Sequence, residues 1–281
     1  MGTFHAKYMV VDRRIAILNS NNIQDRTNLE QLTHLEGPIV DSFYDVALLS
    51  WYEAMNPPLP LLANPGLRRP TGSVETMWAE AEQRHQEMKA SSASAIPSHP
   101  DAQSAAEGRP DTDFSLLNAS DFTPLLVHES REPFPIAMVC RPPHGTPDHK
   151  DTIVPQDAAW EAGTRLAKEW ILIQTPDFNN AAVGPILDAC RRGVECTLYV
   201  DLGYNDGGEM LPRQGGTNSK VMADMAKTLK AEGKLHNLRA HWYTAKDREQ
   251  PVDAARKERN CHVKFMCVDG QVAILGNGNQ G

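Results

Sequence analysis

Two similar strings bracket this chain of 281 residues, "GTFHAKYMVVDRRIAILNSNNIQ" near its start and "NCHVKFMCVDGQVAILGNGNQG" at its end. Each is a short β-rich run, a turn with charge or glycine, and a second β-rich run. Any fold for this chain must therefore supply two copies of one strand–turn–strand unit. The first string reads His5-x-Lys7-x4-Asp12, with Asn19, Ser20 and Asn22 after the second run; the other reads His262-x-Lys264-x4-Asp269, with Gly276, Asn277 and Asn279 at the same offsets. With each residue type at ~5%, two such coincidences have a chance on the order of one in a million. The strings are an internal repeat, and the chain consists of two related halves.

Strand geometry sorts the repeated residues. Positions i and i+2 share a face, so His5 projects with Lys7, and His262 with Lys264. Asp12 and Asp269 have the opposite parity and are read as structural residues that fix the turn. Asn22 and Asn279 stand at the exit of the second run, where a loop can bring an amide back towards the imidazole.

Between the strings, residues 1–55 form the remainder of the first half, closing in a helical stretch, "PIVDSFYDVALLSWYEAM". Residues 56–115 read as a Pro/Ser-rich linker, because Pro57, Pro58, Pro60, Pro65 and Pro70 exclude regular structure at its start. It contains one helix near 73–90, with Ser73 as N-cap and Val74, Met77, Trp78 and Ala81 on one side. That helix is a packing or partner helix rather than a membrane anchor.

Residues 116–281 form the second half. "PFPIAMVC" is a candidate strand. Helical stretches "PQDAAWEAGTRLAKEW", "NNAAVGPILDACRRG" and "KVMADMAKTLKAEG" alternate with strands "WILIQT", "VECTLYVDL" and "LRAHWY". Gly163 weakens the first helix and Gly193 closes the second. This alternation indicates βαβ units and a largely parallel sheet, an α/β class. The glycine-rich loop at 203–217 reads as a solvated connector rather than a phosphate cradle. His34, His144, His149 and His241 have no motif support and read as surface or satisfied core residues.

The balance of Asp+Glu 36 against Lys+Arg 28 provides no broad basic footprint of the kind long nucleic acids need. Five cysteines without a CxxC pair argue against a disulfide framework and for reduced, mostly buried thiols. A lysine on the histidine face repels a cation, so a metal site is not expected. No apolar run approaches the ~20 residues that span a bilayer, no signal peptide is visible, and a cytoplasmic location is expected.

"HAKYMVVD…NSNN" and "HVKFMCVD…GNGN" resemble the paired HxKxxxxD motifs of the phospholipase D superfamily, and the wider wording resembles a fungal phospholipase D-like subgroup. The match covers residues 1–55 and 116–281. The resemblance implies two facing halves with the site at their interface, and phosphodiester hydrolysis or transfer without metal or other cofactor. His5 would be the nucleophile that forms a phosphohistidine, and His262 the acid that protonates the leaving alcohol. Lys7 and Lys264 would neutralise the phosphate oxygens; Asn22, Asn279 and Ser20 would hydrogen-bond them. In the family a glutamate in an N-x-E pattern holds the nucleophilic ring. Asn28-Leu29-Glu30 fits for His5, with Glu36 as the fallback, and the matching glutamate for His262 is expected beyond residue 281.

The substrate expected first is a phospholipid headgroup, with peripheral membrane contact and no transmembrane segment; nucleic acid, through a nuclease of the same superfamily, comes second. The rival from another class is a truncated, inactive relative that acts only in binding. Only four residues precede His5, and the chain stops two residues after Asn279, so a fragment of a longer protein is expected.

Overall fold

The computed structural model describes residues 5–22, 27–51, 132–140, 155–178, 180–210, 215–256 and 259–278. The whole 56–115 linker with its expected 73–90 helix, His144, His149 and Asn279 lie outside them. Tertiary contacts divide the chain into one unit of Met1–Val40 with Ile136–Gly281, and a second of Asp41–Pro135.

The first string folds into β1 (Tyr8–Val11) and β2 (Ile15–Asn19), joined with β3 (Leu32–Glu36) in an antiparallel sheet of order β1-β2-β3. Val11 pairs with Ile15 across the turn, and Arg14 N–H donates to Val11 O at 3.0 Å. Asp12 and Arg13 adopt φ of 49° and 53° there. Aspartate tolerates this left-handed region better than most residues, which explains its place in the string. Helix α1 (Ile39–Trp51) follows, burying Val40, Phe43 and Leu48 along one stripe.

The larger sheet holds β4 (Trp170–Thr175), β5 (Glu195–Val200), β6 (Leu238–Trp242), β7 (Lys264–Val268) and β8 (Val272–Gly276), ordered β6-β5-β4-β7-β8. Helices α2 (Pro155–Leu166), α3 (Asn180–Arg192), the single turn α4 (Asp206–Glu209) and α5 (Asn218–Ala231) accompany it. β4, β5 and β6 run parallel, as helical crossovers require. β7 lies antiparallel to β4, with Ile173 opposite Met266, and β8 antiparallel to β7. The α/β class stands, but the sheet is mixed: the second string enters it as a tight hairpin, which can only be antiparallel.

Alternate residues of this sheet make the core: Ile171 and Ile173, then Cys196, Leu198 and Val200, then Met266 and Val268, under Ile186, Ala189, Met225 and Leu229 of the helices. Gly163 has a packing reason. A Cβ there would meet Met266 Cε at 3.3 Å and Val268 Cγ2 at 3.6 Å, so its absence lets α2 lie close on β7. That contact offsets a helix-propensity cost of about 1 kcal/mol. Gly193, at φ +96°, stops α3, with Val194 N–H bonded to Ala189 O at 3.0 Å.

"PFPIAMVC" is not a strand. Residues 133–140 carry no regular structure and are largely exposed; Pro133 and Pro135 remove the ladder donors a strand would need. All five cysteines are free, three of them buried.

One further pairing positions the site. Leu29 and Cys261 form a parallel bridge: Leu29 N–H donates to Asn260 O at 2.9 Å, and His262 N–H to Leu29 O at 2.8 Å. Asn28 Oδ1 accepts from Asn260 N–H at 3.2 Å. This stitch, within one unit, lays the Asn28-Leu29-Glu30 segment alongside the start of the second string.

Candidate active site

The stitch decides which histidine Glu30 serves. Its Oε2 lies 3.1 Å from His262 Nδ1, across 232 positions of sequence. Glu30 therefore holds His262, not His5, which corrects the sequence expectation. The N-x-E pattern indicated that a carboxylate was present, but its partner depends on a pairing between distant segments. Glu36, the fallback, sits exposed at the end of β3 and pairs with His34 Nε2 at 3.1 Å. Among the described residues, none hydrogen-bonds the His5 ring.

Ser20 also departs from expectation. It is buried, donates to Glu30 Oε2 at 2.5 Å and accepts from Gln31 N–H at 2.8 Å. Its hydroxyl proton is committed to Glu30 and not to an incoming phosphate oxygen. Asn22 is exposed beyond β2. Burial works against the Glu30 charge, but hydrogen bonds from His262 and Ser20, with the His262 and Lys264 charges, hold its carboxyl below the usual range.

The two lysines behave alike. Lys7 Nζ donates to His5 O at 2.6 Å, and Lys264 Nζ to His262 O at 2.9 Å, so each ammonium folds back on its own motif. Lys264 is fully buried. Burial, opposed by Glu30 and joined by Lys7, pushes it down to about 7; burial pushes Lys7 down to about 8 against the pull of Glu30. His5 is exposed at the surface, yet partial burial and then Lys7, Lys264 and His262 lower its pKa. The four motif side chains therefore share one electrostatic neighbourhood.

Asp12 and Asp269 differ. The Asp269 carboxylate accepts from the N–H groups of Lys168, Glu169 and Trp170, all at 2.9 Å, and these bonds hold its carboxyl below the usual range. Asp12 is exposed at its turn.

Three further residues reach this site without having been singled out in the sequence. The Tyr204 ring lies 6.4 Å from that of His262, tilted by 35°. Asp201, buried at the end of β5, accepts from Cys261 N–H with Oδ2 at 3.0 Å and Oδ1 at 3.2 Å. Cys261 Sγ accepts from Gln174 Nε2 at 2.9 Å and borders a cavity of about 390 Å³ that includes the stacked rings of Tyr199 and His241, 5.1 Å apart. An acidic residue ending an apolar strand, "LYVD", was the available signal, since α/β sheets place sites at the carboxyl ends of strands. The start of the 203–217 loop is not a solvated connector: Leu202 bridges Asp253, and a Cβ on Gly203 would collide with the Asp253 carboxylate.

Among the described residues, no group of three or more His, Cys, Asp or Glu is placed to hold a metal, and no helix is long and apolar enough to cross a membrane.

No family model matches this chain, and no curated protein matches it. Among solved structures it is similar to NucT from Helicobacter pylori, at 16% identity over 45% of this chain and 67% of that one, with a TM-score of 0.28. It is similar to Nuc from Salmonella typhimurium, described as a phospholipase D family member, at 18% identity over 46% and 66%, with a TM-score of 0.27. Against phosphatidylserine synthase from Haemophilus influenzae the identity is 12% and the TM-score 0.49; all of this chain is covered, and it spans 54% of the synthase.

Proposed function

We propose that the chain carries a phosphodiesterase or transphosphatidylase site of the phospholipase D type, acting through a phosphohistidine, with phospholipid headgroups as the substrate class. The observation that supports this most is the Glu30–His262 hydrogen bond, which ties the first half to the second motif. Around it lie Lys7, Lys264 and His5, each influencing another's charge.

The roles follow from the two ring environments. Burial and the neighbouring cations favour a neutral His5, and a neutral imidazole is what a nucleophile must be. His262, with Nδ1 occupied by Glu30, offers Nε2 as the nitrogen that carries and hands over a proton. In the first step a His5 nitrogen bonds to phosphorus, the phosphorus–oxygen bond to the leaving alcohol breaks, and His262 gives that oxygen its proton. In the second, water or another alcohol gives a proton to His262 and attacks phosphorus, releasing His5. The Lys7 and Lys264 ammonium groups oppose the charge that builds on the non-bridging oxygens. Asn22 and Asn279 are assigned to those same oxygens.

The test uses headgroup-labelled phosphatidylcholine, single-stranded DNA and bis(p-nitrophenyl) phosphate in parallel, with acid-labile label on histidine as the direct readout. His5→Ala is expected to abolish labelling. His262→Ala is expected to lose at least about a hundredfold on the lipid, and much less on the nitrophenyl ester, whose leaving group needs no acid. The opposite pattern would exchange the roles, and normal turnover in both variants would refute the mechanism. Turnover of DNA alone would transfer the site to nucleic acid, while a folded, monodisperse chain without turnover would favour a binding role.

A further inference from the structure

Segment 260–262 carries His262 into the site beyond the end of the larger sheet's ladder, since the last β4–β7 pair on that side is Gln174 with Phe265. On one flank Leu29 takes over the pairing. Backbone N–H groups alternate in direction along an extended segment, so the Cys261 N–H points to the other flank, where none of the described strands pairs with it. The Asp201 carboxyl group stands in for one, with both oxygens turned to the Cys261 N–H. Asp201 is itself clamped: Asn218 Nδ2 donates to Asp201 O and Pro176 O, both at 2.8 Å, while its Oδ1 accepts from Phe178 N–H at 2.9 Å. A continuous buried path thus runs from the first turn of α5, through the ends of β4 and β5, to the residue before His262.

Asp201 is 1% exposed, and both of its carboxyl oxygens lie within hydrogen-bond distance of one backbone N–H, so its burial is tied to that contact.

We propose, building on the phosphodiesterase reading above, that Asp201 is a positioning residue of this site: its carboxyl group pins the Cys261 backbone and so aims His262.

The test compares Asp201→Ala and Asp201→Asn in the full chain. Thermal unfolding establishes folding, and ¹⁵N-histidine NMR follows the His262 Nδ1–H held by Glu30, assigned by its loss in Glu30→Gln. Turnover of headgroup-labelled phosphatidylcholine, whose leaving alcohol needs the acid, is followed alongside. Asp201→Asn retains an acceptor for Cys261, so the NMR signal is expected to persist, with turnover within about threefold of the native chain. Asp201→Ala is expected to lose the signal and about a hundredfold in turnover, the scale of a misplaced catalytic group. A folded Asp201→Ala that keeps signal and turnover overturns the proposal, and so does an Asp201→Asn that loses as much as Asp201→Ala. Should Asp201→Ala fail to fold, Asp201→Ser takes its place, with the same two outcomes. Should the native chain have no turnover, the functional reading falls, and the NMR signal alone decides: its loss in Asp201→Ala supports the role of Asp201, its retention overturns it.

Discussion

The two hairpins built from the repeated strings differ more in surroundings than in shape. β1–β2 and β7–β8 close with the same three-residue span, the same left-handed aspartate, at φ 49° and 52°, and the same fold-back of lysine onto its histidine carbonyl. Yet Lys264 is fully buried while Lys7 is partly open, and His262 is buried while His5 is exposed. The cause is the neighbours: the second hairpin docks against β4, and the Leu29 segment flanks its His262 end, whereas among the described residues no strand flanks β1 on its outer side. A repeated string therefore encodes a local turn, and its neighbours set the burial on which its chemistry depends.

The largest expected asymmetry concerns Glu30. Glu30→Gln is expected to reduce phosphodiester turnover about a hundredfold by releasing the His262 ring, a loss typical of acid–base machinery. Its effect should fall on the second motif: the downfield Nδ1–H resonance of His262 disappears while the His5 resonances stay in place. Movement of the His5 resonances instead would return Glu30 to the first motif.

The aspartates come next. Asp269→Asn is expected to cost about 2 kcal/mol in urea unfolding, since a carboxylate accepting three backbone N–H groups becomes a neutral amide. Asp12→Asn is expected to cost less than about 0.5 kcal/mol, as asparagine keeps the left-handed turn and no such bonds are lost. Equal losses would mean that the turn, not the capped segment 168–170, is what the aspartate serves.

Lys264→Met sharpens the contrast between the lysines. The native pKa of Lys264 lies near 7 and the ordinary value near 10.5, so the unfolded chain binds more protons between those limits and stability rises with pH across them. Removing the amine should therefore raise thermal stability most at pH 6, with the gap over the native chain narrowing towards pH 9. The same deprotonation weakens the site. Binding of dimethyl phosphate, whose charge does not change over this range, is expected to fall as pH rises through 7 and then 8, where Lys264 and Lys7 lose their protons.

The smallest effect tests the turn. Gly270 has φ +64° where the first string has Arg13 at φ 53°. Gly270→Arg should cost about 1 kcal/mol, the penalty for a side chain in the left-handed region. No measurable cost would show that the second hairpin is held by its sheet irrespective of turn residue.

Much of this was legible in sequence because it is local. Alternating burial in "WILIQT" and "VECTLYV" marks strands, Gly193 marks a helix end, and the repeat marks two matching hairpins with His and Lys on one side. Where the reading failed, the deciding contact was distant or compositional. The 133–140 run had strand-like residues but prolines that deny a ladder, and the antiparallel entry of β7 depended on which strand was free to receive it.

By itself the sequence determined the two hairpins, the α/β alternation and the set of ionisable groups available to a site. Tertiary structure decided that Glu30 holds His262, that Ser20 turns to Glu30, and that the Asp201 carboxyl group takes the Cys261 N–H. The physical reason is that hydrogen bonds and charge interactions act across a few ångströms of space whatever the separation in sequence, so allegiances among buried polar groups appear only once the chain has packed.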